Sequence, residues 1–121
     1  MRCVITLTSA AMLTLLSGCA TPVPPLYNWG PYESQVNAHF KGESPESQIL
    51  VLEKHASETK AKGLLLPPGY MAHLGLLYGK VGRDDDFANA LKLEKEQFPE
   101  SATYIDKLLT QATKGAPHVA K

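Results

Sequence analysis

Apolar positions recur every three or four residues from position 31 onward, the spacing that places side chains on one face of an α-helix. No stretch alternates apolar and polar residues as a half-buried strand does. The pattern predicts an all-α fold of about five helices joined in antiparallel hairpins. The predicted helices cover residues 31–40, 45–62, 70–81, 84–98 and 100–112.

Each predicted helix has an apolar face that would point into a shared core. Along the chain these faces are Tyr32, Val36 and Phe40; Ile49, Leu52, Ala56 and Thr59; Tyr70, Met71, Leu74, Leu77, Tyr78 and Val81; Phe87, Ala90, Leu91 and Phe98; and Ile105, Leu108 and Leu109. Gly42, Gly63, Gly82 and Pro99 stand where helices are expected to end.

The first residues follow a different pattern. Met1 and Arg2 make a short basic start, and residues 3–16 carry no charge and are mostly apolar. About fourteen residues are too few to span a bilayer, which needs about twenty in a helix. This arrangement is typical of a secretory signal peptide. We therefore predict four segments, listed here in order: a signal peptide at 1–18, a lipidated cysteine and Pro-rich linker at 19–30, a helical domain at 31–113 and a flexible tail at 114–121.

Leu16-Ser17-Gly18-Cys19 resembles a lipobox, the motif at which a peptidase cleaves just before a lipid-modified cysteine. The alternative is an ordinary signal peptide with a chance cysteine, and the register of all four residues argues against it. In lipoprotein sorting, an Asp directly after the cysteine usually favours retention in the inner membrane. Ala20 occupies that position. The resemblance therefore implies a lipid anchor in the outer membrane, facing the periplasm.

The cysteine count agrees with a lipid anchor. Cleavage would remove Cys3, and acylation would use the sulfur of Cys19, so the mature chain could form no disulfide. We expect a covalent diacylglycerol and an N-acyl chain on Cys19, and no cofactor. Two or three acyl chains make such an anchor stable where one would be marginal.

Charge and motif content exclude several functions. Twelve Lys and Arg balance twelve Asp and Glu, and no basic stripe is present that could bind nucleic acid. Asp84, Asp85 and Asp86 lack the alternate spacing of a calcium loop, so we interpret them as the acidic start of a helix. The histidines are scattered, without zinc-ligand spacing: His39, His55, His73 and His118. No serine lies in a Gly-x-Ser-x-Gly motif, so we expect neither a metal site nor an enzyme.

The third and fourth predicted helices resemble a tetratricopeptide repeat. The sequence Tyr-Met-Ala-His-Leu-Gly-Leu-Leu-Tyr at 70–78 has a small residue, Gly75, where two such helices cross, and Pro99 stands where the repeat breaks its second helix. Phe87 and Glu94 replace the two alanines of the motif's second helix. Ala88 or Ala90 would then have to supply the close contact by a shift in register.

A wider set of motifs resembles a family of small Gram-negative lipoproteins that carry a domain of unknown function. The motifs lie at 27–32, 42–46, 66–69, 72–78 and 98–101, and they cover nearly the whole mature chain. Genes of that family often lie near one for a CsgG-like outer-membrane lipoprotein. The resemblance implies a role in an envelope assembly and carries over no activity.

These observations predict an outer-membrane-anchored, non-enzymatic adaptor for another envelope protein. Tyr27, Trp29, Tyr32 and His73 are the candidate partner-binding residues, with core packing as the alternative for each. Three other functions remain open: a regulator of a cell-wall synthase, a purely structural lipoprotein, and a small-ligand carrier or enzyme built on His73. The small core is also compatible with a homo-oligomer.

Overall fold

The computed structural model describes residues 23–114, and all secondary-structure elements in this range are helices. The helices are α1 (Tyr32–Phe40), α2 (Pro45–Ala61), α3 (Tyr70–Lys80), α4 (Asp84–Gln97) and α5 (Ala102–Thr113), with a short 3-10 helix at Pro99–Ser101 before α5. None of residues 23–114 lies in a strand, so the predicted all-α class with five helices is confirmed. The predicted signal peptide, Cys19 and the last seven residues fall outside this range.

Local sequence signals explain where the helices begin and end. The Ser44 side chain accepts a hydrogen bond from the backbone N–H of Ser47 at 3.4 Å, and Pro45 occupies the first turn of α2. At the other end, Gly63 adopts a left-handed conformation with φ of 67°. This lets the N–H of Leu64 return to the carbonyl of Thr59 at 3.0 Å and satisfies one of the last carbonyls of α2.

The core lies mainly between α3 and α4, the two helices with the most extensive mutual interface. Its buried apolar side chains come from α2 to α5: Ile49, Leu52, Tyr70, Leu74, Leu77, Tyr78, Phe87, Ala90, Leu91 and Ile105. Every one of these residues belongs to an apolar face predicted from the sequence. Consecutive helices are neighbours, since α1 contacts α2, α2 contacts α3 and α4 contacts α5.

The close approach of α3 and α4 resolves the register that the sequence left open. A Cβ atom on Gly75 would lie 3.3 Å from the Cβ of Ala90 and 3.4 Å from Cδ2 of Leu91. Ala90, and not Ala88, therefore faces Gly75. Phe87 is buried one turn earlier, where it fills the core.

Phe40 corrects the predicted face of α1. Its side chain is 82% exposed, although spacing from Tyr32 and Val36 placed it in the core. The inward positions of this short helix are 32, 35, 36 and 39, together with the buried Ala38. Phe40 is rotated by about 100° from His39 and so points outward.

The three aspartates lie at the start of α4, as the sequence predicts. Arg83 is the N-cap residue and makes no side-chain cap, while Asp84, Asp85 and Asp86 fill the first turn. There they lie at the positive end of the helix dipole. Arg83 Nε donates to Asp86 Oδ2 at 2.7 Å. The next helix, α5, begins at Ala102 because the 3-10 turn takes up the residues before it.

The end of the predicted linker is held against the helices. The backbone N–H of Asn28 donates to the carbonyl of Leu65 at 2.7 Å, and its side-chain Nδ2 donates to Thr59 Oγ1 at 2.8 Å. The ring of Tyr27 meets that of Phe98 edge to face at 6.0 Å. The packed part of the chain therefore begins at Tyr27, ahead of the first helix.

Candidate functional site

Five rings from α1, the residues before it and α3 contact one another in a row, and we call them the aromatic ladder: Trp29, Tyr32, His73, His39 and Phe40. Trp29 stacks on Tyr32 with ring centroids 6.2 Å apart. Tyr32 meets His73 at 6.0 Å, His73 meets His39 at 5.2 Å, and His39 meets Phe40 at 5.7 Å. The two ends of the ladder are the exposed ones, with Trp29 44% and Phe40 82% accessible to solvent.

The ladder has a rigid support beneath it. Tyr32 packs on the fully buried Tyr70 with ring centroids 5.0 Å apart. The Tyr70 hydroxyl donates to the carbonyl of Leu52 at 2.8 Å and lies 3.2 Å from Nδ1 of His55. Burial raises the pKa of Tyr70, so this hydroxyl stays protonated. A side chain in such a network has little freedom to move.

Gly30 allows the chain to pass over His55 and reach α1. A Cβ atom at this position would overlap the His55 ring, and the backbone φ of 45° is one that side chains rarely adopt. The glycine thus sets the position of Trp29 relative to Tyr32. Burial lowers the pKa of His55, which keeps its ring neutral beside Gly30.

His73 is the inner rung of the ladder. Its Nε2 atom is buried and has no hydrogen-bond partner among residues 23–114. Burial, helped by the neighbouring His39 and Lys80, lowers the pKa of His73 to about 4. Burial and Lys80 also lower the pKa of His39. Both imidazoles are therefore neutral at neutral pH, and the ladder presents an uncharged aromatic surface.

Sequence reasoning missed the role of Glu94. It is 2% exposed, and its carboxylate accepts backbone hydrogen bonds at the start of α3. Oε1 accepts from the N–H of Gly69 at 2.6 Å, and Oε2 accepts from the N–H of Met71 and Ala72 at 3.1 and 3.2 Å. A residue of α4 thus caps α3 from across the interface. The signal available was an acid at a motif position that normally holds alanine.

The other predicted site residues are distributed differently. Trp29, Tyr32 and His73 come together in the ladder, whereas Tyr27 lies apart from it, half-buried against Phe98. The predicted lipidation and cleavage residues are outside the described range: Leu16, Ser17, Gly18 and Cys19.

An open groove of about 620 Å³ lies between α2, the connector after it and the end of α4; we call it the leucine groove. Its lining is largely apolar: Ala56, Ser57, Lys60, Gly63, Leu64, Leu66, Met71, Leu93, Glu96 and Gln97. It shares no residue with the aromatic ladder. A smaller groove of about 190 Å³ runs between the start of α4 and the end of α5.

Polar side chains outside the ladder form a network with a structural role. The hydroxyl of Tyr78 donates to Glu53 Oε1 at 2.7 Å, and Arg83 Nη1 donates to the same oxygen at 3.1 Å. The Arg83 guanidinium also lies 4.4 Å from the centre of the Tyr78 ring. These contacts fix the turn between α3 and α4 against α2.

Metal-ligating side chains do not converge in the described part of the chain. Residues 23–114 contain no group of three or more His, Cys, Asp or Glu side chains that could hold a metal ion. His73 lines neither of the two grooves. No helix between residues 23 and 114 has the length and apolarity needed to cross a bilayer. The described residues present an aromatic surface, the ladder, and a largely aliphatic one, the leucine groove.

Neither a curated protein nor a solved structure matches the chain. A protein-family model does match, over residues 26–108, which is more than half of the sequence. The matched range starts in the segment before α1 and ends within α5, so it contains both the ladder and the leucine groove. The chain therefore belongs to the family described as a domain of unknown function, DUF4810.

Proposed function

We propose that the mature chain is a non-enzymatic adaptor, lipid-anchored at Cys19 in the outer membrane, which binds another envelope protein through the aromatic ladder. The observation that carries this proposal is the unbroken contact of five rings with exposed ends at Trp29 and Phe40. Aromatic side chains are enriched at protein interfaces, and Trp and Tyr dominate the residues that supply binding energy there.

The neutrality and rigidity of the ladder support a docking role. An uncharged surface loses less solvation on binding than a charged one. A side chain already held in place, as Tyr32 is by Tyr70, loses little conformational entropy when a partner binds. The partner would therefore cover Trp29 and Phe40 and use the middle of the ladder as a preformed base.

The helical architecture fits the same role. We propose that α3 and α4 form a tetratricopeptide-like unit, which the close approach of Gly75 to Ala90 supports. Repeat helices of this kind present surfaces to extended or helical partners. The lipobox resemblance at 16–19 supports the anchor, and the wider resemblance makes a CsgG-like component the first partner to test.

Copurification after crosslinking in intact cells tests this proposal. With Trp29→Ala and Phe40→Ala combined, the yield of the partner should fall about tenfold, as expected when exposed aromatic contacts are removed. Tyr104→Ala is the matched control because Tyr104 is an aromatic residue on α5 that is also well exposed. The control should leave the yield unchanged.

Two outcomes would overturn the docking role of the ladder: an unchanged yield in the double variant, or an equal loss in the Tyr104 control. If the crosslinked partner is a cell-wall synthase, the regulator alternative takes precedence over the CsgG-like one. Activation of that purified synthase by the adaptor would then be the decisive assay.

A further inference from the structure

Exposed leucines and lysines collect at one end of the molecule. The last residues of α2 and the connector after it read Lys60-Ala61-Lys62-Gly63-Leu64-Leu65-Leu66. Leu64 and Leu65 are 51% and 49% exposed, whereas Leu66 turns inward against the core. Lys60 and Lys62 are exposed and form no ion pair within residues 23–114. Neighbouring exposed apolar side chains indicate an interaction surface, and here two lysines without ion pairs lie beside them.

The N-terminal segment joins the domain at this same end. The backbone N–H of Asn28 donates to the carbonyl of Leu65 at 2.7 Å, and Leu26, two residues earlier, is 72% exposed. Leu26 stands seven positions after Cys19, and a fully extended chain spans at most about 25 Å over that distance. An anchor at Cys19 would therefore hold this end of the molecule close to the bilayer.

We infer that this end is a second, reversible membrane contact, and we call it the tether end: Leu26, Lys60, Lys62, Leu64 and Leu65. Its ligand is the surface of a bilayer containing anionic phospholipids. The leucines would enter the interfacial region, while the two lysines remain at the level of the phosphates. Lysines near an anionic bilayer are attracted to it, and their position beside the tether keeps them near that surface.

The leucine groove opens beside this contact. Lys60 and Leu64 belong to its wall, and Leu93 forms part of the opposite side, so the aliphatic surface continues from the tether end into the groove. Glu96 is the one acid in the lining. Glu96 lies on α4 and forms no ion pair with Lys60 or Lys62 among the described residues.

The inference rests on the proposed function only because it assumes an anchor at Cys19 close to this end. The exposure of the leucines and lysines does not depend on that anchor. The assay therefore uses residues 20–121, which lack Cys19 and carry no lipid but include every described residue. Cosedimentation with vesicles compares a mixture of phosphatidylethanolamine and phosphatidylglycerol with pure phosphatidylcholine. We expect binding to the anionic vesicles, weaker binding to the neutral ones, and a decrease as salt concentration rises.

Variants identify the contact residues. Lys60→Gln with Lys62→Gln should weaken binding to anionic vesicles about 25-fold, since each lysine near such a surface contributes about a fivefold effect. Leu64→Ser with Leu65→Ser should weaken it by on the order of tenfold on both vesicle types. Leu50→Ser is the matched control because Leu50 is an exposed leucine of α2 outside the tether end. Circular dichroism verifies that each variant is folded.

The inference would be overturned if the protein bound neither the anionic nor the neutral vesicles. It would also be overturned if Leu50→Ser weakened vesicle binding as much as the tether-end variants do. Leucine variants that bind vesicles normally but no longer capture an envelope protein would overturn it too, because the tether end would then be a protein-docking surface. A failure of lipidation at Cys19 would leave this assay unchanged, so the two proposals can fail separately.

Discussion

Glu94 shows how a single residue connects two helices in this molecule. Its buried carboxylate accepts from three backbone N–H groups at the start of α3, although it belongs to α4. Those groups have no partner within their own helix, and the positive end of the helix dipole lies there as well. The charge is thus stabilised in a place where an unpaired carboxylate would be costly.

Replacing this carboxylate should lower the stability of the whole domain. Glu94→Ala is expected to reduce the free energy of unfolding by about 3 kcal/mol, because it leaves buried N–H groups unsatisfied. Glu94→Gln should cost less, since one oxygen can still accept. Urea denaturation measures both. Glu96→Ala is the control, because Glu96 is exposed two residues away, and its effect should stay within about 0.5 kcal/mol.

His73 makes stability depend on pH. An unfolded histidine has a pKa of about 6.5, and burial lowers the pKa of His73 in the folded protein to about 4. Between these values the unfolded chain binds a proton that the folded chain does not. The stability that His73 contributes by staying neutral should therefore be complete above about pH 6.5. It should decrease as the pH falls toward 4, and the free energy of unfolding should decrease with it. The lowered pKa values of His39 and His55 act in the same direction.

Urea denaturation midpoints measured from neutral to acidic pH provide the test. His73→Gln should flatten much of the decline, because it removes the group with the large shift. A titration of the His73 imidazole by NMR in the unaltered protein gives the pKa directly, even if the variant folds poorly. A pKa near 6.5, or an unchanged decline in the variant, would contradict the account.

At this scale the sequence predicted which residues are notable but not what they do. His73 and Trp29 were identified from their position beside the helix crossing and in an aromatic cluster, and the structure places them in one ladder. Glu94 was identified only as a departure from a repeat motif. Its true contacts join residues more than twenty positions apart, and helical spacing contains no information about such pairs.

At the scale of elements, the interface between α3 and α4 depends on the absence of a side chain. Gly75 lies against Ala90 so closely that even a Cβ atom would be in tight contact. Gly75→Leu should therefore destabilise the domain by about 2 kcal/mol through overpacking. Gln111→Leu adds a similar side chain at an exposed position of α5 and should change stability little. Thermal and urea denaturation distinguish the two.

A stability of Gly75→Leu equal to that of the unaltered protein would mean that α3 and α4 can separate without cost. The account also predicts partial rescue by Ala90→Gly, since that change restores the space at the crossing. Rescue by a substitution on the facing helix is a result that a purely local effect on α3 would not produce.

Helix positions and apolar faces were predictable because the spacing of apolar residues and the residues that end helices are local signals. The faces of α2 to α5 agree with the buried residues. The face of α1 was wrong at Phe40 because a helix of nine residues contains too few turns to define its inward direction from spacing alone. Tertiary contacts with Tyr70 and His73 decide that direction instead.

At the scale of the whole molecule, residues 23–114 form a small helical domain with two proposed contact surfaces. The aromatic ladder is the proposed site for a protein partner, and the tether end is the proposed contact with the bilayer. Neither surface could be assembled from the sequence, because each brings together residues from the segment before α1 and from helices or a connector far along the chain. The proposed lipid anchor depends on the four residues that resemble a lipobox.

The most direct test of the account is the intact mass of the protein purified from the membranes of a Gram-negative host. The account predicts a chain that begins at Cys19 and carries the added mass of a diacylglycerol and an N-acyl chain. Cys19→Ser should abolish that added mass and leave the chain unprocessed. A chain that still begins at Met1, or one that begins elsewhere with an unmodified Cys19 sulfur, would contradict the central claim.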